Sequence, residues 1–176
     1  MKRNSDNILI EWLVLEAQAG AASALDQLIN RLYPKLIRYS FRQLNDQEAA
    51  RDTVQNTFEV LSKDLHKVSD PAAFLGWIYK ITHRKGVDYI RRQQQQTAVL
   101  KRFEYEQNVH SQSIAKDEST SIHDILKLLE PEPYRLVHLY YLEGFSIKEI
   151  ALILNIAEGT VKSRLFQVRK QLKSYL

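Results

Sequence analysis

The side chains best suited to chemistry lie near the C-terminus, on a predicted helix that begins near Glu158. Apolar residues line one face of this helix, and its other faces carry Thr160, Lys162, Ser163, Arg164, Gln167, Arg169 and Lys170. Between Glu158 and Leu176, five Lys or Arg side chains stand against one Glu, a local charge of +4 that equals the net charge of the whole chain. Cations at this density bind phosphates, and amides and hydroxyls read base edges. A solvated surface is the alternative, and we favour nucleic-acid binding.

Two short helices joined by a tight turn must position this basic face. Ser146 can accept an amide proton of the first helical turn, and Glu149 stands at the reciprocal position of a capping box. Ile147, Ile150, Ala151 and Leu154 then recur at helical spacing. Asn155 tolerates the positive φ that the turn requires. The pattern predicts a helix-turn-helix whose second helix enters the major groove of DNA.

A second basic segment, residues 74–92, mixes aromatic and cationic side chains. One face of its predicted helix carries Phe74, Trp77, Ile78 and Ile81, which is most simply core packing. Another carries Lys80, His83, Arg84, Val87 and Arg91. A cationic ridge beside aromatic rings can follow phosphates and stack unpaired bases. Asp88 lies one turn from Arg84 and from Arg92, so intrahelical ion pairs explain the same pattern, and both interpretations stay open.

The composition limits the classes of function. The chain has 176 residues, of which 44% are hydrophobic and 26% charged, as in a folded, soluble protein. It contains no cysteine, which excludes disulfides and thiolate metal sites. Its histidines show no ligand spacing with carboxylates, and no phosphate-binding loop or nucleophile–base motif stands out. We therefore predict no catalytic residue, no metal, no cofactor and no small-molecule substrate, and hence no enzyme.

The first twenty residues are apolar enough to resemble a signal sequence. Glu11 and Glu16 interrupt that run, so we expect neither a signal peptide nor a membrane span. We expect a core-facing helix instead, which would bury Ile8, Trp12, Leu13 and Leu15.

The predicted fold is all-α, with two small helical domains joined by a flexible linker. Helices are expected at about 6–18, 22–43, 46–66 and 72–92. The N-terminal domain covers residues 1–92, a polar linker covers 93–121, and the C-terminal domain covers 122–176. In the last of these, Glu130–Pro133 ends one helix and starts the next at Pro133.

Taken in order, these segments resemble the extracytoplasmic-function (group 4) sigma factors of bacterial RNA polymerase, over most of the chain. Asp52, Val54, Gln55 and Phe58 match a D-x-V-Q-x-x-F pattern. Trp77, Ile81, Asp88 and Arg91 match the tryptophan-bearing helix of the family. The helix-turn-helix matches at Gly144, Ser146, Glu149, Ile150, Ala151, Gly159, Thr160, Val161, Ser163 and Arg164.

The resemblance implies an alternative sigma factor that acts in the cytoplasm and directs promoter-specific initiation. Its partners would be core RNA polymerase (the β′ clamp and the β flap), promoter DNA and an anti-sigma factor. Asp52, Gln55 and Phe58 would dock on the clamp. At the −10 element the contacts would be Trp77, Lys80, His83, Arg84 and Arg91, with the loop at 67–73 holding a flipped base. At the −35 element they would be Lys162, Ser163, Phe166 and Gln167, with Thr160 and Arg164 nearer the phosphates.

Some positions depart from the family. Arg84 stands where Asn usually contributes to −10 base selection, and Arg offers only donors where Asn offers a donor and an acceptor. Arg51 and Asn56 replace commonly acidic residues near Asp52, and Gln167 replaces a common cation.

Two other classes of function compete with this interpretation. One is a stand-alone helix-turn-helix regulator that binds duplex DNA as a dimer. The other is a helical protein–protein adaptor whose basic faces are incidental. For the sigma factor we also expect the two domains to pack together in the free protein and hide the basic faces.

Overall fold

The computed structural model describes residues 5–103 and 129–173, and all regular structure within these residues is helical. The helices, numbered among the described residues, are α1 Ser5–Gln18, α2 Ala22–Leu44, α3 Gln47–Asp64, α4 Phe74–Phe103, α5 Pro131–Val137, α6 Ile147–Leu154 and α7 Glu158–Lys173. Short 3-10 turns at Leu65–Lys67 and Pro71–Ala73 lead into α4, and a π-helical turn, His138–Leu142, follows α5. The all-α prediction is confirmed.

Local chemistry sets the helix ends, mostly as predicted. Ser146 and Glu149 form a complete capping box at the start of α6, and Asn155 ends α6 in the left-handed region with φ 54°. Asn45 ends α2 in the same way, with φ 52°. The prediction that a helix begins at Pro133 is wrong by two residues, because Pro131 already occupies the first turn of α5.

Helix α4 extends beyond its predicted end at residue 92 and reaches Phe103. The run Gln93–Gln96 favours helix as much as it favours a polar connector, so composition alone did not mark the end. The rest of the predicted linker, from residue 104, lies outside the described residues.

Helix α1 buries a different face from the predicted one. Leu13 is buried as expected, but Ile8, Trp12 and Leu15 are 57%, 52% and 53% exposed. Ile10 and Val14 take the buried positions instead. Since apolar residues occur all round this helix, periodicity could not identify the buried face.

The four N-terminal helices surround a core built on α2, which packs against α1, α3 and α4. The C-terminal helices then pack on the same body, α5 against α2 and α6 against α4. One continuous cluster of buried side chains crosses this contact, from Leu28 and Phe74 on one side to Phe145 and Ile150 on the other. The described residues therefore form a single closed arrangement, in which the helix-turn-helix rests on the N-terminal helices.

Aromatic rings and the carboxylate of Glu143 occupy the centre of this contact. The Tyr79 ring meets Phe145 edge to face, with centroids 5.4 Å apart, and His138 lies 5.4 Å from Tyr39. The Nε2 of the buried His138 is 3.4 Å from a Glu143 carboxylate oxygen, and Lys35 of α2 is 3.8 Å from the other. Burial works to raise the pKa of Glu143, but its contacts with His138 and Lys35 outweigh that effect and lower it.

No helix among the described residues is long and apolar enough to cross a membrane.

Gly86 allows the close approach of α4 to α2. A Cβ at this position would lie 2.6 Å from the carboxamide of Gln43, which is buried and donates from Nε2 to the carbonyl oxygen of His83 at 3.2 Å. Any side chain here requires that amide to move, which puts its hydrogen bond to His83 at risk.

We predict that the free energy of unfolding of Gly86→Ala is about 1–2 kcal/mol below that of Gly76→Ala, because both variants gain helix propensity and only Gly86→Ala strands a buried amide. Gly76→Ala is the matched control on the same helix, since its Cβ would meet nothing within 4 Å. The free energy of unfolding of Gly76→Ala should rise by about 0.5–1 kcal/mol relative to the wild type. Urea unfolding of both variants, and of Gly86→Ala in a Gln43→Ala background, checks the cause. An equal penalty in the Gln43→Ala background would rule out this explanation.

Candidate nucleic-acid interface

Helix α7 presents an open polar face. From the sequence we expect a buried stripe of Val161, Leu165, Val168 and Leu172; the first three are buried, and Leu172 is only half-buried. The exposed side carries Lys162, Ser163, Phe166 and Gln167, while Thr160 and Arg164 are half-buried. Phe166 is 70% exposed, more than any other exposed large hydrophobic side chain among the described residues. The packing of the C-terminal helices thus leaves this face uncovered, and the expectation that it would be hidden is wrong.

Two arginines of α7 already have partners on neighbouring elements. Arg164 pairs with Glu132 of α5. Arg169 donates from Nε to the hydroxyl of Tyr141 at 2.7 Å, and its guanidinium lies over the rings of Tyr140 and Tyr141. DNA phosphates would have to displace or share the Glu132 pair to engage Arg164.

Helix α4 presents the second basic surface. Lys80, Arg84 and Arg91 are exposed. Trp77 is half-buried and packs beside Phe74, with ring centroids 6.0 Å apart. Three of the five predicted −10 residues therefore face solvent, and Trp77 presents only part of its ring.

His83, the fifth of them, is not a free cation. Burial raises the pKa of Tyr39, so its hydroxyl stays protonated, and it shares a hydrogen bond with the Nδ1 of His83 at 3.2 Å. Burial of His83, with the positive charge of Arg135 nearby, lowers its pKa to about 4. His83 is therefore neutral at pH 7 in this arrangement, and a contact with DNA from it would be a neutral hydrogen bond.

The predicted polymerase-docking residues lie together on α3. Asp52 and Gln55 are exposed, and the half-buried ring of Phe58 stacks on Tyr33 of α2 at 6.4 Å between centroids. Tyr33, which is 45% exposed, was missed by the sequence analysis. Only the pairing of α2 with α3 brings it beside Phe58, and no spacing along the chain announces that contact. The arrangement is a partly exposed aromatic pair, one ring of which lies on the helix that carries Asp52.

These surfaces lie on three separate helices, α3, α4 and α7. Helix α6 packs against both α4 and α7. Among residues 5–103 and 129–173 there is no cluster of His, Asp or Glu suited to a metal ion. The arrangement offers extended contacts to a polyanion and to protein.

The family sequence model described as ECF sigma factor matches residues 9–176. The chain therefore belongs to the extracytoplasmic-function sigma factors of the sigma-70 family.

Curated relatives agree with this assignment. The chain is 28% identical over 167 residues to the ECF RNA polymerase sigma factor SigE of Mycolicibacterium smegmatis, covering 89% of this chain but only 63% of SigE. It is 27% identical over 142 residues to the RNA polymerase sigma factor SigV of Bacillus subtilis, covering 79% and 82% of the two chains.

Solved structures share the fold. The sigma factor RpoE of Bartonella quintana, solved with the anti-sigma factor NepR, superposes with a TM-score of 0.65 at 19% identity, over 85% of this chain and 94% of that one. CnrH, solved with the cytosolic domain of CnrY, gives a TM-score of 0.63 at 21% identity, over 95% and 96%.

The buried His83 should make the stability of the fold depend on pH. Because its pKa falls from about 6.5 unfolded to about 4 folded, the unfolded chain binds a proton between these values that the folded chain does not. Stability is then complete above about pH 6.5 and declines as the pH falls toward 4. Between pH 7 and 4.5, we predict that the free energy of unfolding of His83→Gln falls by about 2 kcal/mol less than that of the wild type.

Urea unfolding at both pH values measures this difference. His66→Gln, at an exposed histidine, is the matched control. A His83→Gln protein with the wild-type pH dependence would show that His83 titrates normally in the fold.

Proposed function

We propose that this protein is an alternative sigma factor that binds core RNA polymerase in the bacterial cytoplasm and directs it to a restricted set of promoters. The β′ clamp would dock on the Asp52, Gln55 and Phe58 surface of α3, and the β flap would contact the C-terminal helices. Catalysis would belong to the polymerase, and this chain would be no enzyme. The observation that carries the proposal is the exposed polar face of α7, joined in one chain to the basic surface of α4.

The −35 element would be read in the major groove by the exposed face of α7. Lys162 offers donors to guanine, and Gln167 can pair with an adenine edge. The Phe166 ring, with its apolar edge in solvent, suits contact with a thymine methyl group. Thr160 and Arg164 would approach the phosphates, which fix the position of the helix without reading sequence.

The −10 element would meet α4, with Lys80, Arg84 and Arg91 on phosphates and Trp77 beside the unpaired bases. Since Arg84 has donors only, it favours phosphates and guanine over the bases that Asn would select. The 67–73 loop would hold one flipped base outside the stack, and this would keep the DNA strands separated.

The closed arrangement cannot place both surfaces on their elements at once. The −10 and −35 elements lie roughly 25 base pairs apart, which is on the order of 80 Å along B-form DNA. Helix α6 contacts both α4 and α7, so these two helices are only about two interhelical distances, roughly 20 Å, apart. Initiation therefore requires the C-terminal helices to leave the N-terminal body.

An anti-sigma factor would act on this opening. NepR binds RpoE in one of the structures that share this fold. We infer that a comparable partner holds the present chain away from polymerase until a signal releases it.

The test of this function is run-off transcription from fragmented genomic DNA, using core polymerase with and without the purified chain. We predict new start sites that share −35 and −10 elements. No new start, together with salt-sensitive duplex binding by the protein alone, would establish the stand-alone regulator instead.

A substitution on α7 should distinguish base recognition from general electrostatic attraction to DNA. On a duplex carrying the −35 element found in this way, Lys162→Ala should weaken binding by about 1–3 kcal/mol. Lys63→Ala on α3 removes the same charge from an exposed position away from α7 and should leave duplex binding unchanged. Equal losses in both variants, measured by fluorescence anisotropy, would indicate a general charge effect.

A further inference from the structure

The two arginines of α7 that contact neighbouring elements have partners of different charge. Arg169 donates to the neutral hydroxyl of Tyr141 and lies over two aromatic rings, so its positive charge is not cancelled. Arg164 pairs through Nη1 with the carboxylate of Glu132 on α5. Within the described residues, Arg164 is the only cation of α7 that is held in an ion pair. Glu132 therefore neutralises one particular charge of this helix.

The ion pair stands at the surface, beside the exposed face of α7. Glu132 lies in the first turn of α5, which packs against α7. The side chains of Arg164 and Glu132 keep 37% and 53% of their surface exposed. An open groove of about 150 Å³ is lined by both of them, by the apolar side chains of Leu136 and Val168, and by Gln167 of the exposed face. An anion that binds along α7 can therefore reach the guanidinium of Arg164.

A carboxylate and a DNA phosphate compete for the same donors of an arginine. Both present anionic oxygens to the N–H groups of the guanidinium, often two at a time. A duplex bound on α7 must either displace Glu132 from Arg164 or bring its phosphates close to that carboxylate. Both courses cost binding free energy, because the first breaks an ion pair and the second places negative charges side by side.

A purely structural role for the ion pair is the alternative. The pair joins α5 to α7, but exposed ion pairs contribute little to the stability of a fold. The same two helices are already joined by a buried cluster, in which Tyr134 and Val137 of α5 pack with Val168 of α7. The packing of α5 on α7 therefore does not require Glu132.

We propose that Glu132 is a built-in competitor of the DNA backbone, which holds Arg164 and lowers the affinity of the free chain for duplex DNA. The closed arrangement leaves the exposed face of α7 in solvent, so closure by itself does not keep this face from DNA. The meaning for transcription rests on the proposed function, since a chain that binds DNA weakly alone reaches promoters mainly together with polymerase. The competition itself rests on the geometry of α5 and α7.

Duplex binding by the full chain tests the competition. The probe is a fluorescein-labelled DNA duplex of mixed sequence, because phosphate contacts do not depend on sequence. At about 0.15 M salt, where distant charges are screened, Glu132→Gln should raise the affinity about two- to fivefold, as expected for the loss of one exposed ion pair. The slope of log affinity against log salt should steepen by about one, since one more cation meets a phosphate. An unchanged or lower affinity would overturn the proposal.

Two comparisons isolate the ion pair. Glu130→Gln is the matched control, because it removes the same charge from an exposed residue beside Glu132 whose side chain makes no capping hydrogen bond. This control should raise the affinity much less than Glu132→Gln does. In an Arg164→Gln background, Glu132→Gln should bring no gain, because the donors for which the two anions compete are gone. Equal gains at the two glutamates, or a gain that persists without Arg164, would contradict the competition.

Unfolding distinguishes the competition from a structural role. Glu132→Gln should keep the wild-type circular dichroism and nearly the wild-type midpoint of urea unfolding, because the pair is exposed. A variant that loses stability and gains no affinity would make the ion pair a structural link between α5 and α7, and the proposal would fail.

Transcription separates this inference from the proposed function. With core polymerase, Glu132→Gln should still give run-off at salt concentrations that stop the wild type, because its contact with DNA is stronger. Run-off with the salt dependence of the wild type would contradict a role for Glu132 in initiation. If the chain supports no run-off at all, the proposed function fails, while the duplex titration still decides whether Glu132 competes with DNA.

Discussion

The contact of α6 with α4, centred on the aromatic rings of Tyr79 and Phe145, is the interaction on which the rest of the structure depends. It joins the helix-turn-helix to the N-terminal helices through one continuous cluster of buried side chains. A fully buried aromatic side chain contributes about 2–3 kcal/mol of transfer free energy, so a few such rings hold the arrangement closed. Partners can open it only if they bind the separated halves more favourably than this contact holds them together.

Polar groups at this contact make the closed state specific. His138 and Glu143 lie in the C-terminal half, and Lys35 of α2 meets their pair from the N-terminal half. Arg135 of α5 likewise lies near the Tyr39–His83 hydrogen bond of the N-terminal helices. Such groups are costly to bury without their partners, so they favour one register of packing over alternatives. In the same arrangement the exposed face of α7 remains available. Closure therefore restrains the distance between α4 and α7 while leaving the exposed face of α7 in solvent.

Local chemistry made much of the fold and of the α7 face predictable. Ser146, Glu149 and Asn155 each act through neighbours along the chain, and the structure has all three in the predicted roles. Features that depend on distant residues were missed. The apolar pattern of α1 did not indicate that Trp12 faces solvent, because the contacts of α1 with α2 and the 3-10 turns determine which face is buried. Nor could spacing reveal that Tyr39 holds His83, 44 residues away.

We propose that the closed protein opens to span a promoter, and a distance measurement tests this opening most directly. The chain has no cysteine, so Asp88→Cys on α4 and Lys170→Cys on α7 can carry a pair of spin labels at exposed positions. We predict a distance below about 50 Å in the free protein, from helix lengths and two interhelical spacings. With core polymerase and promoter DNA it should rise to on the order of 80 Å. A transcribing complex that kept the short distance, or a free protein that already showed the long one, would contradict the account.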